Sequence, residues 1–403
     1  MLSVGLLFFA GQPTATGQIP GPCGAQKAGT IACLTLDTIV QADAAGLPPN
    51  PVSPESGGPA FSGNVYLVTP LTASQPLPSP ASGFVYTFDS TAGVYVRSAQ
   101  DFGPILSERS DTIGRKKLFL GGTFQRFVFD KLDGFNAHAI PGGTNLGPGI
   151  QSAYTVNASL QLNQYTFFVT YGLTDRLDVS LALPISTVHY GLAVNGNLRF
   201  SIPGPPPTIP ISGTGSHTAS GIGDMNLELK GTAFRIQNAA LAVGALFRFP
   251  TGDEYEALGA GAIGVKPFVV GSITYKSVSP HVDIGYLFNG KSILDGNIIT
   301  GQKGQIPDQV QYAAGADSRV TRWLTASFDV LGTEVVHGYR YSPQALLMGS
   351  ASRKSYNMTN GSVGFKINPS GKLLVVANAL FRLNGGSGLR TKIAPLIGLS
   401  YAF

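Results

Sequence analysis

Residues 165–185 read YTFFVTYGLTDRLDVSLALPI, two alternating segments on either side of a short polar turn. Large apolar residues occupy every second position from Tyr165 to Leu173, and again from Val179 to Ile185. A period of two is typical of a β-strand, because successive side chains of a strand point to opposite faces. The turn TDR contains side chains that can bond their own backbone. The stretch therefore predicts a β-hairpin with one continuous apolar face.

The same alternation of apolar and polar residues continues to the end of the chain. Segments of about ten residues are apolar on one side and polar, charged or small on the other, as in the strands of membrane barrels. The predicted strands cover residues 117–130, 152–173, 177–192, 222–236, 239–250, 264–276, 281–289, 309–319, 323–335, 354–367, 372–383 and 391–403. The second is too long for one membrane crossing, and we expect it to bend near Asn163.

The predicted connections alternate in length. They are short after the second, fourth, sixth and tenth strands, where the sequence reads TDR, IQN, SVSP and NPSG. The long connections cover roughly 131–151, 193–221, 251–263, 290–308 and 336–353. Outer-membrane barrels have short periplasmic turns and long outer loops. An even number of strands also places both ends of the barrel on the periplasmic side.

Composition favours a membrane barrel over other folds. Charged residues make up 12% of the 403 residues, against about 25% in a soluble protein. No run of 18 or more apolar residues follows the N-terminus, which excludes a bundle of membrane-spanning helices. The other structure that satisfies its backbone in a bilayer is a closed barrel. A soluble β-sandwich would also alternate, but it needs neither the sparse charge nor the loop rhythm. We predict an all-β fold, a transmembrane antiparallel up-and-down β-barrel of about 12 strands.

The chain divides into three predicted regions. Residues 1–17 resemble the remnant of a signal peptide, since a short apolar stretch is followed by the small-x-small pattern Ala15-Thr16-Gly17. Residues 18–115 are rich in Pro, Gly and Ser and form an N-terminal segment that either lies in the periplasm or plugs the barrel. It contains one predicted hairpin, FVYTFDSTAGVYVRS. Residues 116–403 form the outer-membrane barrel.

Two cysteines, Cys23 and Cys33, follow the predicted cleavage site. In an oxidising compartment such a pair forms a disulfide, and the alternative is two idle thiols. A zinc site would need further ligands nearby, and none are visible. We predict a disulfide and no metal site.

The chain ends in the alternating residues Leu399, Tyr401 and Phe403. The last strand of a barrel must close against the first, with its apolar face toward lipid and its aromatic residues at the interface. A terminal Phe with apolar residues at alternate positions also resembles the C-terminal signal that the bacterial barrel-assembly machinery recognises. We therefore expect outer-membrane lipid and this machinery as partners.

Several stretches resemble one family of bacterial proteins. ERSDTIGRKKL with TFQRFVFDKLDG, then TYGLTDRLDVSLALPI, GIGDMNLELK and FRFPTGD are similar, in this order, to the outer-membrane transporter family catalogued under the MetA pathway of phenol degradation. The resemblance covers roughly Glu108 to Phe403. It implies an outer-membrane β-barrel that passes small, hydrophobic or aromatic compounds, and it supplies no catalytic residue. In PTGD we expect Pro250 to end a strand and Gly252 to take a positive φ, and we favour a turn role for Asp253 over a ligand-binding one.

Charged residues on the predicted inward faces are the candidate lining of the lumen, since charge is costly on the lipid face. They are Glu228, Lys230, Arg248, Lys266, Asp283, Asp317, Asp329, Lys366 and Arg382. One interpretation is an ion-pair network that fills the barrel. The other is a polar channel lining that sets selectivity.

Other function classes have little support. GAGAIG at 259–264 matches a dinucleotide-binding pattern but lies in a loop before a strand. The histidines are scattered, and the closest serine, Ser186 beside His189, falls on the opposite face of its strand. There is no basic cluster with interleaved aromatic residues for nucleic acid. We expect no enzymatic activity and no cofactor.

The sequence thus predicts a passive channel for small solutes in the bacterial outer membrane. The alternative is a structural or adhesive barrel with a closed lumen whose outer loops bind a partner. A lipolytic enzyme receives little weight, because the sequence lacks its catalytic constellation.

Overall fold

A computed structural model describes residues 30–34, 79, 86–89, 94–97, 101–147, 150–200, 208–298, 300–341 and 352–403. Nearly all of the regular structure in these residues is β. No helix among them has the length and apolar character needed to cross a membrane. The predicted N-terminal hairpin is present as antiparallel strands Tyr86–Asp89 and Val94–Arg97, while its turn lies outside the described residues.

Twelve antiparallel strands form a closed barrel, which confirms the predicted fold class. In chain order, β1 to β12 are Leu118–Leu132, Ile150–Thr174, Leu177–Phe200, Met225–Arg235, Ala239–Phe249, Gly264–Ile273, Val278–Asn289, Gln309–Thr321, Leu324–Val335, Tyr356–Ile367, Leu373–Arg382 and Ile393–Ala402. Each strand pairs with the next, and β12 closes the barrel by pairing with β1. We call the end with the short connections the turn end and the other the loop end.

One predicted turn was misplaced. The sequence indicated that the sixth strand runs to residue 276 and that SVSP forms the following turn. Instead β6 ends at Ile273, Tyr275 bonds Val278 across the turn, and β7 already begins at Val278. Lys276 takes a positive φ of 54°, so the chain reverses there rather than at the proline.

One predicted loop is largely a strand. The region 193–221 contains the strand Thr208–Ile222, which pairs with the outer half of β3 from Ile185 to Arg199. Its sequence is small and polar, so it lacks the alternation of large apolar residues that identified the other strands. The long β3 supplies the backbone partners, and tertiary context therefore decides this element.

The loop end also carries shorter elements. They are the strands Phe135–Asn136, Ile140–Gly147, Lys291–Asn297, Gln302–Gln305, Tyr339–Arg340, Ser352–Arg353 and Leu389–Thr391, with a 3-10 turn at Ala137–Ala139. Lys291–Asn297 and Gln302–Gln305 form a hairpin, which we call the loop hairpin. Ile140–Gly147 pairs with the outer half of β2.

The two faces of β2 exchange polarity at Asn163. From Tyr165 to Leu173 every second side chain is apolar and exposed on the outside of the barrel, whereas from Asn163 back to Gln151 the outward residues are polar or small. The inward face changes in the opposite sense, and Tyr154, Val156, Ala158, Leu160 and Leu162 are all buried. The ladder to β3 has no register shift at Asn163, where we expected a bend. The extra length of β2 therefore projects beyond the lipid.

The neighbouring strands change polarity at the same height. Asn163 pairs with Thr187 on β3 and with Arg126 on β1. Counted from the turn end, Thr187 and Arg126 are the first polar residues on the outward faces of their strands. The apolar stretch of β2, Tyr165 to Leu173, spans about 30 Å along the strand at ~3.3 Å per residue. A strand tilt of about 40° reduces this to about 23 Å, close to the ~25 Å apolar band of outer-membrane barrels. The exchange therefore marks the loop-end edge of that band.

Exposed aromatic side chains mark the opposite edge. They are Tyr171, Phe234, Tyr275, Trp323, Tyr401 and Phe403. Rings with an apolar body and, in Tyr and Trp, a polar tip prefer the interface between lipid and water. This girdle places the turn end of the barrel at the second membrane surface.

Candidate functional site

The inside of the barrel at the turn end is crossed by residues 101–115. The backbone N–H of Phe102 donates to Oγ1 of Thr325 on β9, at 3.2 Å. Lys366 on β10 is 1% exposed, and its Nζ donates to the carbonyl oxygens of Phe102 at 3.0 Å and Pro104 at 2.6 Å. The buried side chain of Lys366 thus holds backbone carbonyls of the N-terminal segment against the wall.

A chain of ion pairs fixes the same segment. Arg109 lies 2.9 Å from Asp101 and 3.4 Å from Asp111, and Asp111 continues to Arg235 at the turn end of β4, at 2.7 Å. Burial acts to raise the pKa of Asp101, but the Arg109 guanidinium and the hydroxyl of Ser279 together hold that pKa below its ordinary value. Asp101 is therefore ionised at neutral pH and anchors the arginine.

Ser107, His281 and Asp329 form a buried triplet. Nε2 of His281 lies 2.6 Å from Oδ1 of Asp329 and 2.9 Å from Oγ of Ser107, while Nδ1 lies 3.5 Å from Asp317. The hydroxyl of Ser107 donates to Asp329 at 2.8 Å. In a catalytic triad the ring nitrogen that takes the serine proton is not bonded to a carboxylate, whereas Nε2 of His281 contacts Asp329 as well as Ser107. This geometry therefore fits a latch between segment and wall better than a catalytic triad, and sequence reasoning missed it because Ser107 and His281 are far apart in the chain.

Glu108 makes two contacts with the wall. Its Oε2 accepts a hydrogen bond from Nζ of Lys230 at 2.9 Å, and its backbone N–H donates to Asp283 at 3.2 Å. Glu228 lies two residues from Lys230 on the same inward face and is 4% exposed. Nζ of Lys266 donates to Gln311 at 3.1 Å. Among the nine predicted lining residues, those that directly contact the segment are Lys230, Asp283, Asp329 and Lys366.

The remaining two predicted lining residues lie toward the loop end. Arg248 on β5 donates to Oδ1 of Asn289 at 2.7 Å and lies 3.6 Å from Asp224. Arg382 at the end of β11 forms a pair of hydrogen bonds with Asp130, at 2.7 and 3.2 Å. The nine residues therefore do not form one site, because the last pair sits at the rim.

Asp224 joins two of the motifs that the sequence singled out, GIGD and PTGD. Its carboxylate accepts from the backbone N–H of Gly252 at 3.1 Å and of Ala260 at 2.7 Å. The prediction of a positive φ at Gly252 was wrong, since Gly252 is absent from the described glycines with that conformation. A Cβ there would lie 2.5 Å from the carbonyl oxygen of Leu258, so close approach requires the glycine. Asp253 has a turn role, accepting from the N–H of Tyr255 at 2.9 Å.

An apolar cluster fills the inside of the barrel beyond the membrane band. We call it the loop-end cluster. Its inward-facing members include Phe127, Phe129, Tyr154, Val156, Leu160, Leu162, Val188, Tyr190, Leu192, Leu198, Ile211, Leu380 and Leu396. Ile31 and Leu34 of the N-terminal segment and Leu294 of the loop hairpin belong to the same cluster. The backbone of Ala32 bonds Tyr255. The N-terminal segment therefore contacts the barrel at both ends.

The loop hairpin is held by a buried carboxylate. Oδ2 of Asp295 lies 2.7 Å from the guanidinium of Arg353, and the side chain of Asp295 is fully buried. Burial raises the pKa of Asp295 to about 6, although the arginine acts in the opposite direction. A group with this pKa changes its charge between mildly acidic and neutral conditions.

The remaining predictions concern the cysteines, His189 and the absence of a metal site. Cys33 is disulfide-bonded, and Cys23 lies outside the described residues, so their pairing stays a prediction. His189 donates to or accepts from Thr218 on the outward face, opposite to Ser186. Within the described part of the chain, no three His, Cys, Asp or Glu side chains are grouped as metal ligands.

Comparison with known proteins adds the fold but no family. No family model matches the chain, and no curated protein matches it. The expected membership of the MetA-pathway family therefore stays a prediction.

Solved structures do match. An outer membrane channel from Pseudomonas putida F1 aligns with a TM-score of 0.52 and 13% identity, over 73% of this chain and 98% of that chain. The NanC porin aligns at 0.40 with 10% identity, over 70% and 98%. A FadL homologue from Pseudomonas aeruginosa aligns at 0.33 with 12% identity, over 72% and 90%. The first likeness shows a shared fold and nothing about the solute. The other two scores are too low to support an argument.

Proposed function

We propose that this chain is a bacterial outer-membrane channel for the passive passage of small hydrophobic or aromatic compounds. The observation that carries the proposal is the exchange of polarity at Asn163. Beyond the membrane the inward face of the barrel is apolar from Leu162 to Tyr154, whereas the inward face within the membrane band is mostly polar. An apolar interior that begins outside the bilayer offers a hydrophobic solute a favourable environment before it reaches the lipid.

Residues 101–113 are the proposed plug of this channel. Phe102 and Ile113 pack with Phe119, Phe168 and Leu374 inside the turn end. The ion pairs of Glu108 with Lys230 and of Asp111 with Arg235 join the segment to the wall. In the proposed cycle a solute passes after this segment shifts or leaves.

An outer-membrane location and delivery by the barrel-assembly machinery belong to the same proposal. Leu399, Tyr401 and Phe403 are exposed on the outward face of β12, and the rings of Tyr401 and Phe403 lie 4.7 Å apart. Their backbone is also used to close the barrel, since the N–H of Phe403 donates to Leu118 at 2.8 Å. These features support a C-terminal assembly signal.

The test of transport is uptake across a membrane with lipopolysaccharide in its outer leaflet, which slows the unaided entry of hydrophobic compounds. Vesicles containing the barrel are expected to take up labelled naphthalene faster than vesicles without it. Leu162→Asn, which places an amide in the apolar interior, is expected to slow uptake. Ser159→Asn, on the outward face of the same strand, is the matched control and is expected to leave uptake unchanged. Uptake equal to that of empty vesicles, even after removal of residues 18–115, would contradict the proposal.

A structural or adhesive barrel with a closed lumen is the second candidate. The ion pairs and hydrogen bonds between residues 101–113 and the wall favour it, because they fill the turn end. It predicts no conductance in planar bilayers for the full chain. Single-channel openings of the full chain would exclude it.

A further inference from the structure

Three amide side chains, with Leu396 between two of them, form a row on the turn-end side of the loop-end cluster. Gln164 on β2 pairs with Gln125 on β1, Gln125 pairs with Leu396 on β12, and Leu396 pairs with Asn378 on β11. All four face inward and are nearly completely buried. Because paired residues of neighbouring strands stand side by side, the row crosses four adjacent strands at one height.

The row lies where the inward-facing side chains change from apolar to polar. The next inward residue toward the loop end is Phe127 after Gln125, Leu162 before Gln164 and Leu380 after Asn378, and all three belong to the loop-end cluster. Gln125 and Gln164 lie one residue from the outward exchange of polarity at Asn163 and Arg126. The amides are therefore the first inward polar groups along β1, β2 and β11 on the turn-end side of these residues, and the apolar cluster continues beside them to Val376, Ile105 and Leu106.

The amides lack hydrogen-bond partners. Gln125 is 1% exposed, and both its Oε1 and its Nε2 are buried without a partner. Oε1 of Gln164 and Oδ1 of Asn378 are buried without a partner as well. The other amide atom of Asn378, Nδ2, donates to Ser362 at 2.8 Å. A buried polar atom without a partner costs about 1–3 kcal/mol, and such groups are uncommon unless they serve a ligand or a water.

The amide atoms without partners indicate which functional group of a solute could bind to them. Gln125 carries both an acceptor, Oε1, and a donor, Nε2, without a partner, so a group that satisfies it must both donate and accept a hydrogen bond. Gln125 and Gln164 have Cα atoms about 5 Å apart as paired residues, so a single hydroxyl can reach both side chains. An alcohol donates one hydrogen bond and accepts others, whereas an ether, ester or carboxylate only accepts. A solute group that only accepts hydrogen bonds would leave the amide oxygens of the protein unsatisfied, and its own lone pairs would repel them.

We propose that Gln125 and Gln164, with Asn378 beside them, bind the hydroxyl group of a solute whose body occupies the loop-end cluster. This inference rests on the proposed channel function and narrows its solute class to apolar compounds that carry a hydrogen-bond donor. An ordered water is the competing occupant, because buried waters satisfy polar groups of this kind. A cavity of about 10 Å³, the size of one water molecule, lies nearer the turn end beside Thr123, Phe168 and Val376, and none of the three amides lines it.

A pair of isomeric compounds distinguishes a site that binds a solute hydroxyl from a site that binds only water. Hexan-1-ol and 1-methoxypentane have the same atoms and similar bodies, but only the alcohol donates a hydrogen bond. Their binding to the full chain in lipid nanodiscs is measured by saturation-transfer difference NMR, with empty nanodiscs subtracted to remove partitioning into lipid. The wild type is expected to bind the alcohol about tenfold more tightly than the ether.

Gln125→Leu is expected to abolish this preference while leaving the affinity for the ether unchanged or higher. It is also expected to raise the thermal stability of the solute-free barrel, since it removes two unsatisfied atoms. Gln164→Leu provides a second variant and is expected to reduce the preference in part. Gln161→Leu, on the outward face of β2, is the matched control and is expected to keep it.

Equal binding of the two isomers by the wild type would overturn the site and would favour water as its occupant. A preference that survives both Gln125→Leu and Gln164→Leu would overturn it too. These results are separate from the transport measurement. If naphthalene is taken up but the alcohol is not preferred, the channel function is supported and the hydroxyl site is rejected. If the alcohol is preferred but naphthalene is not taken up, the hydroxyl site is supported and the channel function is rejected.

Discussion

Nζ of Lys230 lies 2.9 Å from Oε2 of Glu108, so an ion pair whose lysine is 1% exposed joins the barrel wall to the N-terminal segment. Removing one partner of a buried pair leaves an uncompensated charge and costs about 3–5 kcal/mol. We therefore expect Lys230→Met to destabilise the barrel strongly, and the double variant with Glu108→Gln to recover much of the loss. Denaturant unfolding in detergent measures both in one double-mutant cycle.

The matched comparison is the pair of Arg235 and Asp111, which is partly exposed to solvent at the turn end. Exposed pairs contribute about 0–1 kcal/mol, so Arg235→Met is expected to have a small effect. Equal costs for Lys230→Met and Arg235→Met would show that burial of the segment inside the barrel is not what makes the first pair strong.

Single cysteines along β2 test the position of the membrane. The outward residues Ser159 and Asn163 are polar, and Tyr165 and Phe167 begin the exposed apolar stretch. In intact cells, we expect Ser159→Cys and Asn163→Cys to react with a membrane-impermeant maleimide. Phe167→Cys is expected to stay unlabelled until the membrane is dissolved, because lipid covers it. Labelling of Phe167→Cys at the rate of Ser159→Cys would move the boundary and remove the argument for an apolar interior outside the bilayer.

The strands were predictable because their information is local. A strand such as β9, Leu324–Val335, shows its period of two in a dozen residues, and the structure reproduces its ends within one residue of the prediction. The predicted inward faces follow from the same period, which is why Lys230 and Lys366 were recognised as interior residues. Even the exchange of faces at Asn163 is visible in the sequence of β2 once strand length is considered.

The contacts between distant segments could not be predicted in the same way. Ser107 and His281 are 174 positions apart, and their hydrogen bond depends on where residues 101–115 enter the barrel. The strand Thr208–Ile222 carries no apolar period, and it forms because β3 offers a partner edge. Gln125 and Gln164 each looked like an ordinary polar position until the register placed them side by side.

Asp224 offers a test of the link between the GIGD and PTGD motifs. It accepts from two backbone N–H groups, on Gly252 and Ala260, whereas Asp253 accepts from one within its own turn. Asp224→Ala leaves two donors without a partner, and we expect hydrogen exchange across residues 251–260 to rise by one to two orders of magnitude, which is about 1.4–3 kcal/mol of local stability. Asp253→Ala is the control and is expected to have a smaller effect. The reverse order would contradict the assigned role of Asp224.

The charge state of Asp295 is expected to make the docking of the loop hairpin depend on pH. Its pKa is raised by burial to about 6 in the folded protein, against about 4 in an unfolded chain. Between these values the folded form holds a proton that the unfolded form has lost, so stability falls as pH rises from about 4 to about 6 and is constant above. Leu294 of this hairpin packs into the loop-end cluster, and the hairpin therefore covers the cluster more firmly in mild acid.

Hydrogen exchange over residues 291–305 at pH 4.5 and 7.5, corrected for the intrinsic rates, measures this dependence. We expect stronger protection at pH 4.5 by up to about 2 kcal/mol, because at this pH most of the free energy of a shift of about two pKa units is present. Asp295→Asn cannot ionise and is expected to show the same protection at both values, while Asp253→Asn, in the neighbouring loop, is expected to keep the wild-type dependence. Protection in the wild type that rises with pH would mean that the ion pair with Arg353 outweighs the burial of the carboxylate, because only an ionised Asp295 can use that arginine as a partner.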